Sequence, residues 1–213
     1  MDPDLAALRQ EYELGGLAEA DAPADPLTLF AAWFAEAEGG GVHEPNAMVL
    51  ATASTTGQPA ARAVLLKGLS AAGFVFYTNQ ESRKGSDLAV NPLCALTFPW
   101  FELQRQVRVE GTASVAPRSD AEAYFATRPR ESQLGAWASR QSSVVSSRAA
   151  LDASYADVEA RFAGTDVPCP PHWGGYVVAP RVVEFWQGRR GRMHDRLVYR
   201  LTGSGWAMER LAP

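Results

Sequence analysis

Cysteine is scarce in this chain of 213 residues: Cys94 and Cys169 are the only two. Two thiols so far apart build neither a disulfide framework nor a zinc site, so no metal is expected and a reducing cytoplasm is the natural setting. Positive charge is not in excess either, with 20 Lys and Arg against 24 Asp and Glu, a formal net charge of -4. That balance argues against a general nucleic-acid binder and gives no electrostatic reason to bind an anionic membrane. There is no apolar run of about eighteen residues to span a bilayer, and the start Met-Asp-Pro-Asp-Leu lacks the basic and apolar regions of a signal peptide. Also missing are a Walker-type glycine loop, a dinucleotide fingerprint, a His-Glu-x-x-His pair and a nucleophile elbow. The common motif-borne enzyme classes are therefore unsupported.

What is present is enough apolar sequence, 46% of residues, for one compact domain. No repeat or linker divides it. Residues 3–14 predict a short amphipathic helix ended by Gly15 and Gly16. A second helix is expected from Pro26, with Leu27, Phe30, Ala31 and Phe34 on its apolar face and Gly39, Gly40 and Gly41 at its end. The texture then changes to short β-type runs at 47–53, 60–66, 73–78, 93–98 and 104–113, separated by turn residues such as those at 56–59. Helical stretches at 82–90, 119–127 and 146–162 interrupt them, the last with Leu151, Tyr155, Val158 and Phe162 on one stripe. A final β block spans 174–210, with glycine turns at 188–191 and 203–205. The fold class expected is mainly β with peripheral helices (α+β), an antiparallel barrel or sandwich.

Cations and amides gather at strand ends. Residues 74–79 form a strand running into Ser82, Arg83 and Lys84 at a helix start, a place suited to a phosphate-sized anion. Arg62 and Lys67 bracket an apolar run containing Val64 and Leu65; regular alternation would put the two cations on opposite faces. In 104–111, Gln104, Gln106, Arg108 and Glu110 share a face that either lines a site or meets water. Tyr124 and Arg128 stand four apart on a helix ended by Pro129, with Ser132 just beyond; either they grip a second anion, or Tyr124 is a core aromatic and Arg128 pairs with Glu131 or Glu122. The richest stretch is 184–196, where a hairpin is expected to project Arg192, His194 and Arg196 from one face of its second strand. Two guanidinium groups beside an imidazole should depress the His194 pKa and keep it neutral near pH 7, able to accept or relay a proton; the alternative is that the arginines form salt bridges with Glu184 and Asp195.

These residues, taken with runs such as Arg9-Gln-Glu-Tyr12, Phe98-Pro-Trp100, Arg105-Gln-Val107, Trp173-Gly-Gly175, Glu184-Phe-Trp-Gln-Gly188 and Arg210-Leu-Ala-Pro213, resemble the pyridoxine/pyridoxamine 5'-phosphate oxidase family. The resemblance covers almost the whole chain from about Leu5. It implies a split β-barrel of 1–213, an FMN-binding homodimer whose active sites draw on both chains, with residues 1–20 as a mobile lid. Arg62, Val64, Leu65, Lys67, Ser82, Arg83, Lys84, Gln141 and Ser142 would hold the FMN phosphate and ribityl chain; Tyr77, Thr78, Gln106, Trp186 and Arg196 would surround the rest of the flavin. Lys67, Tyr124, Arg128 and Ser132 would clamp the substrate phosphate, Arg192 and His194 would serve as catalytic residues over the pyridine ring, and Arg9 and Tyr12 would belong to the lid.

The implied reaction oxidises pyridoxine or pyridoxamine 5'-phosphate to pyridoxal 5'-phosphate. A hydride passes from substrate to FMN and on to O2, giving hydrogen peroxide, with ammonia released from the amine after imine hydrolysis. Other split-barrel flavin or deazaflavin-dependent reductases, and a non-catalytic pyridoxal-phosphate carrier, are the alternatives. Two positions depart from the pattern: Glu44 where aspartate is expected, and Arg189 where a second glycine should follow Gly188. Arg189 and Arg190 read as exposed.

Overall fold

The computed structural model describes residues 11–213. Nine strands and five helices account for most of them: α1 (Pro26–Gly39), β1 (Ala47–Ala53), β2 (Pro59–Leu65), β3 (Gly68–Ser70), β4 (Gly73–Asn79), α2 (Arg83–Val90), β5 (Leu93–Trp100), β6 (Arg105–Val115), α3 (Arg118–Ala126), α4 (Arg130–Ala138), α5 (Arg148–Arg161), β7 (Trp173–Gln187), β8 (Asp195–Thr202) and β9 (Gly205–Arg210). The strands form one sheet in the order β2-β1-β5-β6-β7-β4-β3, with β8 on β7 and β9 on β8. At fifteen residues β7 is long enough to pair with β8 as well as with β6 and β4. Its first part runs antiparallel to β4, Trp173 opposite Asn79, and its last part antiparallel to β8, Trp186 opposite Arg196. Among the described residues no helix is long and apolar enough to cross a membrane.

The chain divides into two compact units. Of the described residues, one comprises 11–49, 96–110 and 180–213; its core is aromatic. Asp25 caps α1 by accepting hydrogen bonds from the main-chain N–H groups of Leu27 and Thr28, an arrangement that contributes about 1 kcal/mol. The helix buries Pro26, Leu29, Phe30, Trp33 and Ala37. Phe30 meets Phe98 with ring centroids 4.8 Å apart, and Trp33 meets Phe185 at 5.2 Å. The stripe is thus rotated from the predicted one: Ala31 is exposed, and Leu27 and Phe34 are half-buried. Tryptophan at 33 supplies more apolar area than the alanine it displaces.

The helix predicted at 3–14 is not seen where it can be checked, since residues 11–14 are not helical. Their main chain is taken by side chains instead: Gln104 Oε1 accepts from the N–H groups of Glu13 and Leu14, and Gln187 Nε2 donates to the Leu14 carbonyl. Residues 3–10 of that prediction lie outside the described residues.

The second unit comprises 50–95 and 111–179. Here Ala121, Phe125, Leu134, Phe162, Val167 and Trp173 make a buried cluster, with Tyr155 and Val158 of α5 packed against it. Two arginines hold the loop before β7 by its carbonyls. Arg118 donates to Cys169, Pro170 and Trp173, and Arg130 to Phe162 and Thr165. Strand β3 and helix α4 were not predicted as elements; three residues are too few for a period, and α4 follows directly on a proline that ends its predecessor.

Candidate active site

The second unit contains a cleft of about 1140 Å³. Strand β2 brings Arg62, Val64 and Leu65 to it, and the chain just past β2 brings Lys67. Because β2 stops at Leu65, the expected opposition of Arg62 and Lys67 across a regular strand does not arise, and both line the same cleft. The end of β4 adds Tyr77 and Thr78, α2 adds Arg83 and Lys84, α3 and its end add Tyr124 and Arg128, and α4 adds Ser132. Gln141 and Ser142 follow from the loop after α4, and Trp173 from β7. The lining therefore holds five cations, Arg62, Lys67, Arg83, Lys84 and Arg128, and no carboxylate.

Each cation is held differently. The Lys84 ammonium is buried and donates to Thr78 Oγ1 at 3.0 Å, Ser82 Oγ at 3.2 Å and Gln141 Oε1 at 2.8 Å. All three partners are neutral; burial, with Arg62 adding repulsion, pulls its pKa down to about 8. Ser82 is fully buried and spends its hydroxyl on the Asn79 carbonyl as well as on Lys84. The Arg83 main-chain N–H donates to Ser142 Oγ at 3.2 Å. Arg62 donates to the Leu50 carbonyl and to Thr52 Oγ1, which itself donates to Asp87 at 2.7 Å; Asp87 also lies 3.8 Å from the Arg62 guanidinium. Burial lowers the Arg62 pKa more than Asp87 restores it.

Arg128 is the most exceptional. Its guanidinium stacks 4.9 Å from the Trp173 ring and 5.3 Å from Phe125, and its Nη1 is buried with no hydrogen-bond partner. Beside it Tyr124 stacks on Tyr77 at 4.4 Å, and Tyr77 lies nearly parallel to Trp173 at 5.5 Å. This stack requires glycine at 175, where a Cβ would stand 2.7 Å from the Tyr77 ring. Lys67 Nζ is 6.0 Å from the Tyr124 ring. Five cations, one of them Arg128 with a buried unspent donor, beside flat rings can hold phosphorylated, aromatic ligands.

The remaining predicted residues belong to the other unit and do not line this cleft. Gln106 sits on β6, and Trp186 and Arg196 are paired neighbours on β7 and β8. Arg196 is committed to Glu184, with Nε 2.8 Å from Oε1, while Arg108 takes Oε2 at 3.1 Å. The predicted common face for Arg192, His194 and Arg196 is not formed. Strand β8 starts only at Asp195, and the preceding 190–192 is a single turn with Gly191 at φ 60° and Arg192 at φ 59°. His194 is half-buried, packed against Trp186 at 4.6 Å and Tyr12 at 5.6 Å. Its pKa is lowered as expected, though burial comes first and Arg192 second. Gln104 also leaves its predicted face, being a left-handed residue (φ 53°) just before β6.

Tyr12 rests on Trp186 and fits against Gly188, where a Cβ would lie 2.8 Å from its ring. Arg9 lies outside the described residues. Arg189 and Arg190 are exposed as predicted, yet both are engaged: Arg189 donates to the Gly15 carbonyl and Arg190 pairs with Glu13 at 2.6 Å. Glu44 is exposed, with φ 48°. Sequence reasoning missed Asp87 and Thr52 as the supports of Arg62, and Trp173 as the surface under Arg128. Tryptophan beside two glycines was the one available signal for the last.

Known proteins resemble this chain over nearly its whole length. The family model described as pyridoxamine 5'-phosphate oxidase matches residues 35–162, and one described as pyridoxine 5'-phosphate oxidase C-terminal dimerisation region matches 173–213. The chain is 59% identical over 210 residues to a pyridoxine/pyridoxamine 5'-phosphate oxidase of Nocardioides sp., covering 99% of this chain and 98% of the other. The corresponding protein of Rubrobacter xylanophilus is 57% identical, at 99% and 97% coverage. Among solved structures, PhzG from Burkholderia lata, in complex with tetrahydrophenazine-1-carboxylic acid, superposes with a TM-score of 0.89 at 31% identity, covering 94% of this chain and 99% of that one. A pyridoxamine 5'-phosphate oxidase-related, FMN binding protein from Nostoc punctiforme shares the fold, with a TM-score of 0.70 at 17% identity over 90% of this chain and all of that one. The expected split-barrel class stands, and the chain belongs to the pyridoxamine 5'-phosphate oxidase family.

Proposed function

We propose that the protein oxidises pyridoxine 5'-phosphate and pyridoxamine 5'-phosphate to pyridoxal 5'-phosphate with bound FMN, using O2 and releasing hydrogen peroxide, plus ammonia from the amine. The observation that carries this reading is the cleft with five cations, no lining carboxylate and a buried, unpartnered Arg128 Nη1. Such a surface is costly unless an anionic ligand completes it. Two phosphates, one from cofactor and one from substrate, match the donor set. Lys84, Arg62, Arg83 and Ser142 fit the FMN phosphate, while Arg128, Lys67, Tyr124 and Ser132 fit that of the substrate.

When bound, FMN supplies the two-electron acceptor that takes a hydride from the substrate and passes the electrons to O2. The chain's own residues supply binding and orientation. Arg128 and Lys67 grip the non-reacting phosphate, so binding energy remote from the reacting carbon is spent on alignment. The Tyr77–Tyr124–Trp173 stack walls the cleft with apolar surface and limits water. Trp186, Arg192, His194 and Arg196 all lie within the stretch matched by the dimerisation region. In the homodimer we place them at the cleft of a second copy, Arg192 stabilising electron-rich ring substituents and His194 orienting the reacting group. Residues 1–213 then act as a single FMN-binding domain with 1–20 as its lid. The free thiols Cys94 and Cys169 suit a cytoplasmic enzyme.

A second reading follows from the PhzG likeness: tetrahydrophenazine-1-carboxylic acid, the molecule in that complex, is also an anion on a fused ring system. Anaerobic titration of the flavin-loaded protein decides. Bleaching by pyridoxine 5'-phosphate, with recovery in air and formation of pyridoxal 5'-phosphate, is expected; bleaching by tetrahydrophenazine-1-carboxylic acid alone would reverse the assignment.

A further inference from the structure

At the tip between β7 and β8, the Arg189 main-chain N–H donates to His194 Nδ1 at 3.1 Å. A donor can face only an unprotonated ring nitrogen, so the neutral imidazole must carry its hydrogen on Nε2. The tip is built to keep that bond. Met193 N–H closes the 190–192 turn on the Arg190 carbonyl, and left-handed backbone at Gly191 and Arg192 brings residue 194 back to residue 189. Trp186 and Tyr12 pack on the ring and oppose its reversal.

The neighbouring charges favour the same state. Arg189 and Arg192 are cationic, while the nearby carboxylate, Asp195, is taken by Arg210 at 2.7 Å, by the Leu17 N–H at 3.1 Å and by Arg189 at 3.7 Å. Among the described residues none binds Nε2.

We propose that His194 acts as a fixed hydrogen-bond donor through Nε2–H, set by the Arg189 main-chain N–H, and is not the acceptor of the substrate's proton. The catalytic consequence rests on the oxidase reading above; the tautomer does not. Nε2–H then faces an electron-rich oxygen of the substrate, and protonating Nδ1 would break the bond that positions the ring. The depressed pKa agrees, since the cationic form is disfavoured.

Nitrogen-15 NMR of the whole protein labelled at its three histidines tests this directly, at a pH about two units above the ordinary histidine value. The His194 signals are assigned by their loss in His194→Gln. A pyridine-like Nδ1 and a pyrrole-like Nε2 are expected. The reverse pattern, an averaged pair, or two pyrrole-like nitrogens would overturn the proposal, whether or not the protein oxidises any vitamer. Turnover supplies the second arm. His194→Gln retains an amide donor near the Nε2 position, so it should keep kcat within about tenfold, the scale of one neutral hydrogen bond. Loss of about a hundredfold or more, equal to that of His194→Ala, would mark a general base.

Discussion

In the unit that carries the hairpin, arginine after arginine meets a carboxylate: Arg190 takes Glu13, Arg108 and Arg196 share Glu184, and Arg210 takes both Glu19 and Asp195. In the cleft of the other unit five cations line one space without an acid among them. The first set is spent on the protein itself. Apart from Asp87, 3.8 Å behind Arg62, the second meets hydroxyls, amides and aromatic faces, which leave most of its positive charge uncompensated. A net charge of -4 conceals this division, because it sums over both. Where acids are withheld from a cluster of cations, the missing negative charge belongs to a ligand.

Substitutions should separate the two sets. The largest effect is expected at Arg128: Arg128→Ala should cost about 2–4 kcal/mol of binding to a charged partner, a fall of about 30- to 1000-fold in kcat/KM for pyridoxine 5'-phosphate. Flavin content should be unchanged. Steady-state peroxide assays on the FMN-loaded variant measure this, and a near-wild-type kcat/KM would remove Arg128 from the phosphate site.

On the hairpin side, Glu184→Gln should leave Arg108 and Arg196 without their shared carboxylate. Glu184 is 7% exposed and its partners are more open, so the cost is about 1–2 kcal/mol. Thermal unfolding should fall by about 3–6 °C. An unchanged midpoint would mean that this network is as idle as a surface pair.

Lys84 gives a pH signature. Its ammonium has a pKa of about 8 in the free protein, and a bound phosphate would hold the proton on. The sign follows: the binding-competent form is full below that value and is lost as pH rises through it. FMN affinity should therefore weaken about tenfold between pH 7 and pH 9 by linkage. Fluorescence titration of the apoprotein would show it, and Lys84→Met should abolish the slope. A flat profile in the native protein would place the phosphate elsewhere.

The smallest effect is expected from Arg190→Ala. Its pair with Glu13 is exposed, so stability should change by less than about 0.5 kcal/mol, within the scatter of replicate melts. A loss of several degrees would show that the strap over residues 13–15 is a structural element in its own right.

The sheet was largely legible because turn residues punctuate runs of β-branched and aromatic residues, and β1 was read to the residue. Element faces were less so. On α1 the predicted Leu27 and Ala31 yield to Leu29 and Trp33, a choice made by the bulk of Phe98 and Phe185 opposite, which are distant in sequence. Residues 11–14 have a helical pattern, but Gln104 and Gln187 capture their main chain, and such partners carry no local signal.

The cleft's cations were legible at strand and helix ends. Their joint use was not: Arg62 and Lys67 seemed opposed until β2 ended early, and Arg192 and His194 seemed to share a strand until two left-handed residues formed a turn. The supports of Arg62, Thr52 and Asp87, are ordinary residues made important only by tertiary contact.

The central claim, that the cleft's cations are reserved for phosphorylated ligands, is tested most directly by binding FMN and riboflavin to the apoprotein, with the two flavins differing only in the phosphate. FMN should bind at least about a hundredfold more tightly, the scale of two charge-assisted hydrogen bonds, with most of that difference lost in Lys84→Met. Equal affinities for the two flavins would contradict the account.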